Sequence, residues 1–377
     1  MAGVSAVAPS RSVTGVVGYL RRMRIAWTVL VVVVTACTAT ADDTTTTVEP
    51  QTTTSSLHAP TTTVTGASPT TTGSTIADPV ALTIETFAVP PGSRPHDVAP
   101  AADGGVWYTA QGGGELGWLD PDTGETRQID LGDGSRPHGV IVDESGTPWI
   151  TDGGLNAIVS VDPETEEVTI HPLPDTAANA NLNTATFDAN GGLWFTGQSG
   201  VYGVVDTTTG EMIVGEAPRG QGPYGITTTP DGTVFYASLA GSYVGEIVEG
   251  PSVRVHEPPT PDQGARRVWP DSSGQVWVSE WKTGNVSRYD PVTGEWSTWA
   301  LPGESPAAYA VYVDEHDIVW LSDFGSNSIV RFDPSTETFA NHALPHTPGE
   351  VRQLHGRRGE VWGAESAADH LVLIRTG

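Results

Sequence analysis

Cysteine is nearly absent from this chain of 377 residues: Cys37 stands alone, so no disulfide can form within it. Lysine is equally scarce, with Lys282 the only one. The 18 basic residues face 45 acidic ones, and the formal net charge is −27. A surface this acidic argues against nucleic acid as a partner and favours solubility. No apolar run reaches the roughly 20 residues that a membrane span requires.

The longest such run, residues 25–36, follows Arg21, Arg22 and Arg24. A basic flank and a short apolar core read as a signal peptide over residues 1–36, with Met23 an alternative start. The run ends in Val34-Thr35-Ala36-Cys37, which resembles the bacterial lipobox, in which the cysteine is lipidated. An ordinary signal sequence followed by a chance cysteine is the alternative. Residues 37–78 are Thr-rich with almost no large apolar side chains, a composition that cannot offset its own ordering entropy. They read as a disordered tether, and the expected location is extracytoplasmic, either lipid-anchored at the cell membrane or secreted.

What the chain does have is a repeat. Trp107, Trp149, Trp194, Phe235, Trp277, Trp320 and Trp362 are spaced by 42, 45, 41, 42, 43 and 42 residues, each inside a strand-like phrase such as Gly-Leu-Trp-Phe-Thr. That period with alternating patterning and Gly, Asn and Asp-Pro turns predicts propeller blades. Residues 79–377 are therefore expected to form an all-β, seven-bladed β-propeller with four-stranded antiparallel blades. The last repeat offers only three strands. Residues 82–90 match the fourth strands of other repeats and are expected to close blade 7 and the ring. The tryptophans are expected to pack between blades. Asp120, Asp162, Asp206, Asp290 and Asp333 are expected to cap turn amides.

The first strand of a propeller blade lines the channel, and the second runs back to the same mouth. Ten or eleven residues before each anchor stand His96, His138, Asn183, Tyr224, Arg266, Tyr309 and Arg352. Three residues after each anchor stand Ala110, Asp152, Gly197, Ser238, Glu280, Asp323 and Glu365. These positions vary while the scaffold repeats, which leaves them free to serve a small-molecule ligand in a central funnel. His138, Tyr224, Arg266, Arg267 and Glu280 are the candidate ligand-binding residues.

The phrases Arg-Pro-His-Gly-Val, Gly-Pro-Tyr-Gly-Ile-Thr and Leu-Trp-Phe-Thr resemble those of virginiamycin B lyases, or streptogramin lyases, over about residues 81–377. The resemblance implies a seven-bladed propeller that opens cyclic streptogramin B antibiotics at their ester by elimination, assisted by Mg²⁺. It places the site in the last two blades. Glu350 and Glu365 would be the metal carboxylates, Arg352 stands where the family has its catalytic His, and Tyr309 replaces a His of blade 6. His96, in the adjoining blade 1, is a further candidate for proton transfer.

Three readings follow: a lyase using Mg²⁺ with His96 or Tyr309, a non-catalytic surface protein capturing an anion through Arg266, Arg267 and Arg352, and a protein-interaction propeller with a solvated channel. Arginine stays protonated and cannot act as the base of an elimination. A monomer is expected in each case.

Overall fold

A computed structural model describes residues 75–76, 82–250 and 252–376. The signal peptide, Cys37 and nearly all of the expected tether lie outside the described residues. Seven antiparallel sheets follow one another in sequence, one per repeat. Blade 1 comprises Pro95–Pro100, Val106–Ala110, Glu115–Leu119 and Thr126–Asp130. Blades 2 to 6 begin with Pro137–Val142, Leu182–Phe187, Pro223–Thr228, Ala265–Pro270 and Ala308–Val313. Blade 7 begins with Val351–Arg357, and its outer strand is Ile84–Ala88, paired antiparallel with His370–Arg375. The N-terminal segment thus closes the ring, as its match to the other fourth strands predicts.

Thr75–Ile76, inside the segment expected to be unstructured, pairs in parallel with Thr338–Phe339 on the outer edge of blade 6. The outer strand of a blade offers unpaired backbone groups for such a pairing. Among the described residues the only helical element is a 3₁₀ turn at Asp175–Ala177.

The core is divided among seven clusters, and each lies between two neighbouring blades. Each also holds one anchor of the repeat. Trp277 of blade 5, for example, packs on Val311, Leu321 and Phe332 of blade 6, and Trp362 of blade 7 packs on Val98, Val106 and Tyr108 of blade 1. The anchors therefore weld blade to blade, and truncating one to alanine is expected to cost about 3–5 kcal/mol. Buried indole N–H groups need acceptors. Those of Trp149, Trp194, Trp277 and Trp320 donate to Asp143, Asp188, Asp271 and Asp314 at 2.8–3.0 Å. This aspartate six residues before the anchor is a second repeated use of carboxylate. The turn aspartates behave as expected: Asp120, Asp162, Asp206, Asp290 and Asp333 each accept the amide two residues on.

Candidate functional site

In every blade the residue before the ring position pairs with the residue three after the anchor: Pro95 with Ala110, Pro137 with Asp152, Ala265 with Glu280, Val351 with Glu365. Immediately afterwards the register shifts in all seven blades, the mark of a β-bulge. A bulge sets two residues of one strand against one of its partner. The channel mouth is thereby served by two columns rather than one, which brings in Asp97, Thr184, Arg267 and Gln353 beside their ring neighbours.

In blades 1, 2, 3, 5 and 6 the threonine or serine two residues after the anchor holds the bulge, while blades 4 and 7 carry Ala237 and Ala364 there. Thr109 Oγ1 accepts the Asp97 amide at 3.0 Å and donates to the His138 carbonyl of the next blade at 2.9 Å. Ser279 does the same for the Arg267 amide and the Tyr309 carbonyl, at 3.0 and 2.7 Å. One hydroxyl therefore fixes a bulge and ties it to the following blade, so the ring side chains stand on a braced rim.

The ring residues converge. The imidazoles of His96 and His138 lie 3.8 Å apart between centroids. The Asn183 amide meets His138 Nε2 at 3.1 Å while its oxygen accepts Thr184 Oγ1 at 2.7 Å, an arrangement that leaves the His138 proton on Nδ1. That buried Nδ1 has no partner. Burial, with His96 beside it, holds His138 well below the usual histidine range. Burial, with Arg267, Arg352 and Arg266, does the same to His96.

Across the channel, Arg267 grips Asp97 with Nη2 on Oδ1 at 2.9 Å and Nη1 on Oδ2 at 3.3 Å, and donates to Thr184 at 2.6 Å. Both charged side chains are buried. Burial pushes the Asp97 carboxyl up, and Arg267 draws it partly back.

Tyr224 and Tyr309 share a hydrogen bond of 2.7 Å. The Arg266 guanidinium lies 3.5 Å from the Tyr309 ring centroid and 4.7 Å from that of Trp281, and donates to Tyr224 Oη at 3.0 Å. Phe324 stacks on the other side of the group, 4.6 Å from Tyr309. Arg352 reaches within 5.9 Å of both the Tyr309 and Phe324 rings. Burial pushes Tyr224 up to about 12. Burial also opposes ionisation of Tyr309, yet Arg266, Arg267, the Tyr224 bond and Arg352 together bring that phenol below its ordinary value. Among the described residues no carboxylate pairs with Arg266.

The positions three residues after the anchors are mostly structural. Asp152 is buried and accepts the amides of Arg136, Gly154 and Leu155. Asp323 accepts the amides of Ala307 and Gly325. Glu280, a candidate ligand residue by sequence, is fully buried and spends its oxygens on Thr283, Asn285 and Ser287. In blade 7 the fully buried Glu365 takes His346 Nδ1 at 2.6 Å and keeps Oε1 without a partner. His346, from the loop before blade 7, was not evident among the candidates, although Pro345-His346 repeats the Pro-His pair of blades 1 and 2. Glu350 is held by Arg352 at 2.5 Å. Arg352 and His346 each take one oxygen of Glu350 and Glu365 while Glu365 Oε1 stays buried and unpartnered, so a divalent cation held by the two carboxylates would compete with these partners for them. His96, Asp97 and His138 bring three ligand-type groups together, but Arg267 is already bonded to Asp97.

A model of the virginiamycin B lyase family matches residues 127–376. The chain belongs to this family. No curated protein matches it. Similar solved structures include a streptogramin B lyase at 22% identity and a TM-score of 0.72, covering 78% of this chain and 97% of that one. Virginiamycin B lyase from Staphylococcus aureus follows at 17% identity and a TM-score of 0.73, covering 78% of this chain and all of that one. A catalytically inactive histidine-to-alanine variant from the same organism, with quinupristin, matches at 18% identity and 0.73 over the same shares. These likenesses establish a lyase-like propeller. Within the virginiamycin B lyase frame, the positions singled out by resemblance in blades 6 and 7 are Tyr309, Glu350, Arg352 and Glu365, and the structure places Arg352 between Glu350 and the Tyr309 ring.

Proposed function

We propose that this lyase-family propeller binds, at the mouth of its channel, a small molecule presenting a carboxylate or an ester carbonyl to Arg266 and Arg352. The observation that carries this reading is Arg266: a guanidinium with no carboxylate partner among the described residues, seated on an aromatic platform of Tyr309, Tyr224 and Trp281. Arginine on such a platform retains its charge and its hydrogen-bonding fork, and planar oxygen acids suit that fork. Glu350 and Glu365 are engaged by Arg352 and His346, which supports binding without turnover.

A second reading, elimination, is favoured by one observation: the lowered phenol of Tyr309. A proton beside a carbonyl would pass to Tyr309 Oη, a carbon–carbon double bond would form, and the carbon–oxygen bond would break to release a carboxylate. No water is consumed, and no step is routed through a metal. An extracytoplasmic, monomeric protein held by a lipid on Cys37 completes the proposal.

The test is to titrate the full chain with a streptogramin B compound and with benzoate, following tryptophan fluorescence, and to separate the products by chromatography and mass. Saturable binding of at least one probe, weakened about tenfold or more in Arg266→Gln, is expected. A linear product of unchanged mass would replace binding with elimination, and a product heavier by one water would indicate hydrolysis. Failure of both probes to bind at millimolar concentration would end the proposal.

A further inference from the structure

A cavity of about 840 Å³ lies at the same mouth but over blades 1 to 3, away from the aromatic platform. No aromatic side chain other than His138 lines it, and glycines form much of its wall. Two guanidinium side chains border it: Arg94 and Arg136. They occupy the same place in successive repeats, two residues before His96 and His138, where blades 4 to 7 carry Gly222, Gly264, Ala307 and Glu350.

Most exposed arginines elsewhere in this acidic chain hold a carboxylate: Arg127 with Glu166, Arg219 with Glu257, Arg254 with Glu246, Arg375 with Glu85. Neither Arg94 nor Arg136 has such a partner among the described residues, although 45 acidic residues are available in the chain.

Two carboxylates nearby are used on the backbone instead. Asp369 accepts the Gly92 and Arg94 amides at 2.8 and 2.7 Å, holding Arg94 at a φ of 46°. Asp152 accepts the Arg136 amide at 2.9 Å and Ser135 Oγ at 2.5 Å. Both arginines therefore stand on fixed loops with their charge unspent. A Cβ on Gly154 would lie 2.1 Å from the Gly134 carbonyl and 3.0 Å from Arg136 Cβ, so glycine there keeps the loop against the blade.

We propose that this cavity is a second ligand site, which takes the phosphate or carboxylate group of a polar, non-aromatic small molecule between Arg94 and Arg136. Two guanidiniums on braced loops bind one oxyanion with little ordering cost. The site does not depend on binding at Arg266 or on any turnover.

The test uses the full chain and two probes, inorganic phosphate and citrate, in calorimetric titrations at low salt. At least one should bind with one-to-one stoichiometry. Arg94→Gln/Arg136→Gln should weaken it about tenfold or more and leave benzoate or streptogramin binding unchanged, while Arg266→Gln should do the reverse. Phosphate alone binding identifies a phosphate ligand, and citrate alone a carboxylate one. Asn181→Asp, which adds a negative charge to the cavity wall, should also abolish binding and serves if the double variant misfolds. No binding of either probe, or equal binding by all variants, would overturn the proposal.

Discussion

Removing Asp97 should destabilise the whole ring, because its carboxylate is the partner of a buried guanidinium 170 positions away, on the far side of the channel. The side chains of Asp97 and Arg267 are 2% and 4% exposed, so neither can turn to water when the other is lost. Breaking a buried pair by truncating one partner typically costs about 3–5 kcal/mol, since the remaining charge is left uncompensated. Here the upper part of that range applies to Asp97→Asn: besides Arg267, the titratable groups acting on that carboxyl are His96, His138 and His355, which offer no replacement negative charge. At about 2 °C per kcal/mol for a large domain, the melting temperature should fall by roughly 8–10 °C. The double variant Asp97→Leu/Arg267→Met removes both charges and should recover most of the loss. Thermal melts by circular dichroism, with urea unfolding as a check, measure all of these. A loss under about 1 kcal/mol in Asp97→Asn, or a double variant no better than the single one, would refute the cross-channel pair as a structural tie.

Deleting residues 79–90 removes the outer strand of blade 7 and opens the ring, so the melting temperature of the entire propeller should drop; an unchanged melt would contradict closure by Ile84–Ala88. Acid should destabilise the protein below about pH 6.5. Burial holds His96, His138 and His355 below the usual value, His355 at about 4, so the unfolded chain binds protons that the folded one refuses. Stability should be full above about pH 6.5 and decline steadily toward pH 4, and a flat profile across that window would count against neutral buried histidines. Cys37→Ala should release the protein from the membrane fraction, because stable anchoring needs the multiple acyl chains of a lipidated cysteine; equal retention of both forms would argue for another mode of attachment.

The ring was legible in the chain because its determinants are local and repeat. An aromatic anchor every 42 residues or so, tryptophan in six repeats and Phe235 in the fourth, marks each interblade cluster, and the match of residues 82–90 to other fourth strands marks the closure. The first ring column was legible for the same reason, as a set of positions that vary at constant spacing. What spacing could not reveal is pairing across the channel. Asp97 and Arg267 belong to blades 1 and 5, and Tyr224 and Tyr309 to blades 4 and 6, which no periodicity connects. The bulge was hidden too, although a signal for it exists: Gly139 and Gly225 occupy the place where Asp97 and Arg267 stand, so a charged residue there departs from the repeat. Glu280 looked like a ligand residue because its column varies, yet that variation serves turns of different shape.

The affinity of the channel mouth for an oxygen acid tests the account at its centre. Benzoate titrated into the full chain and into Arg266→Gln, with tryptophan fluorescence as the readout, reports on the one guanidinium that carries the proposed function, with Trp281 beside it as reporter. A saturable change in the wild type and at least a tenfold weaker one in the variant are expected, with the melting temperature of the variant near that of the wild type. Identical titrations of the two proteins would contradict the proposed function.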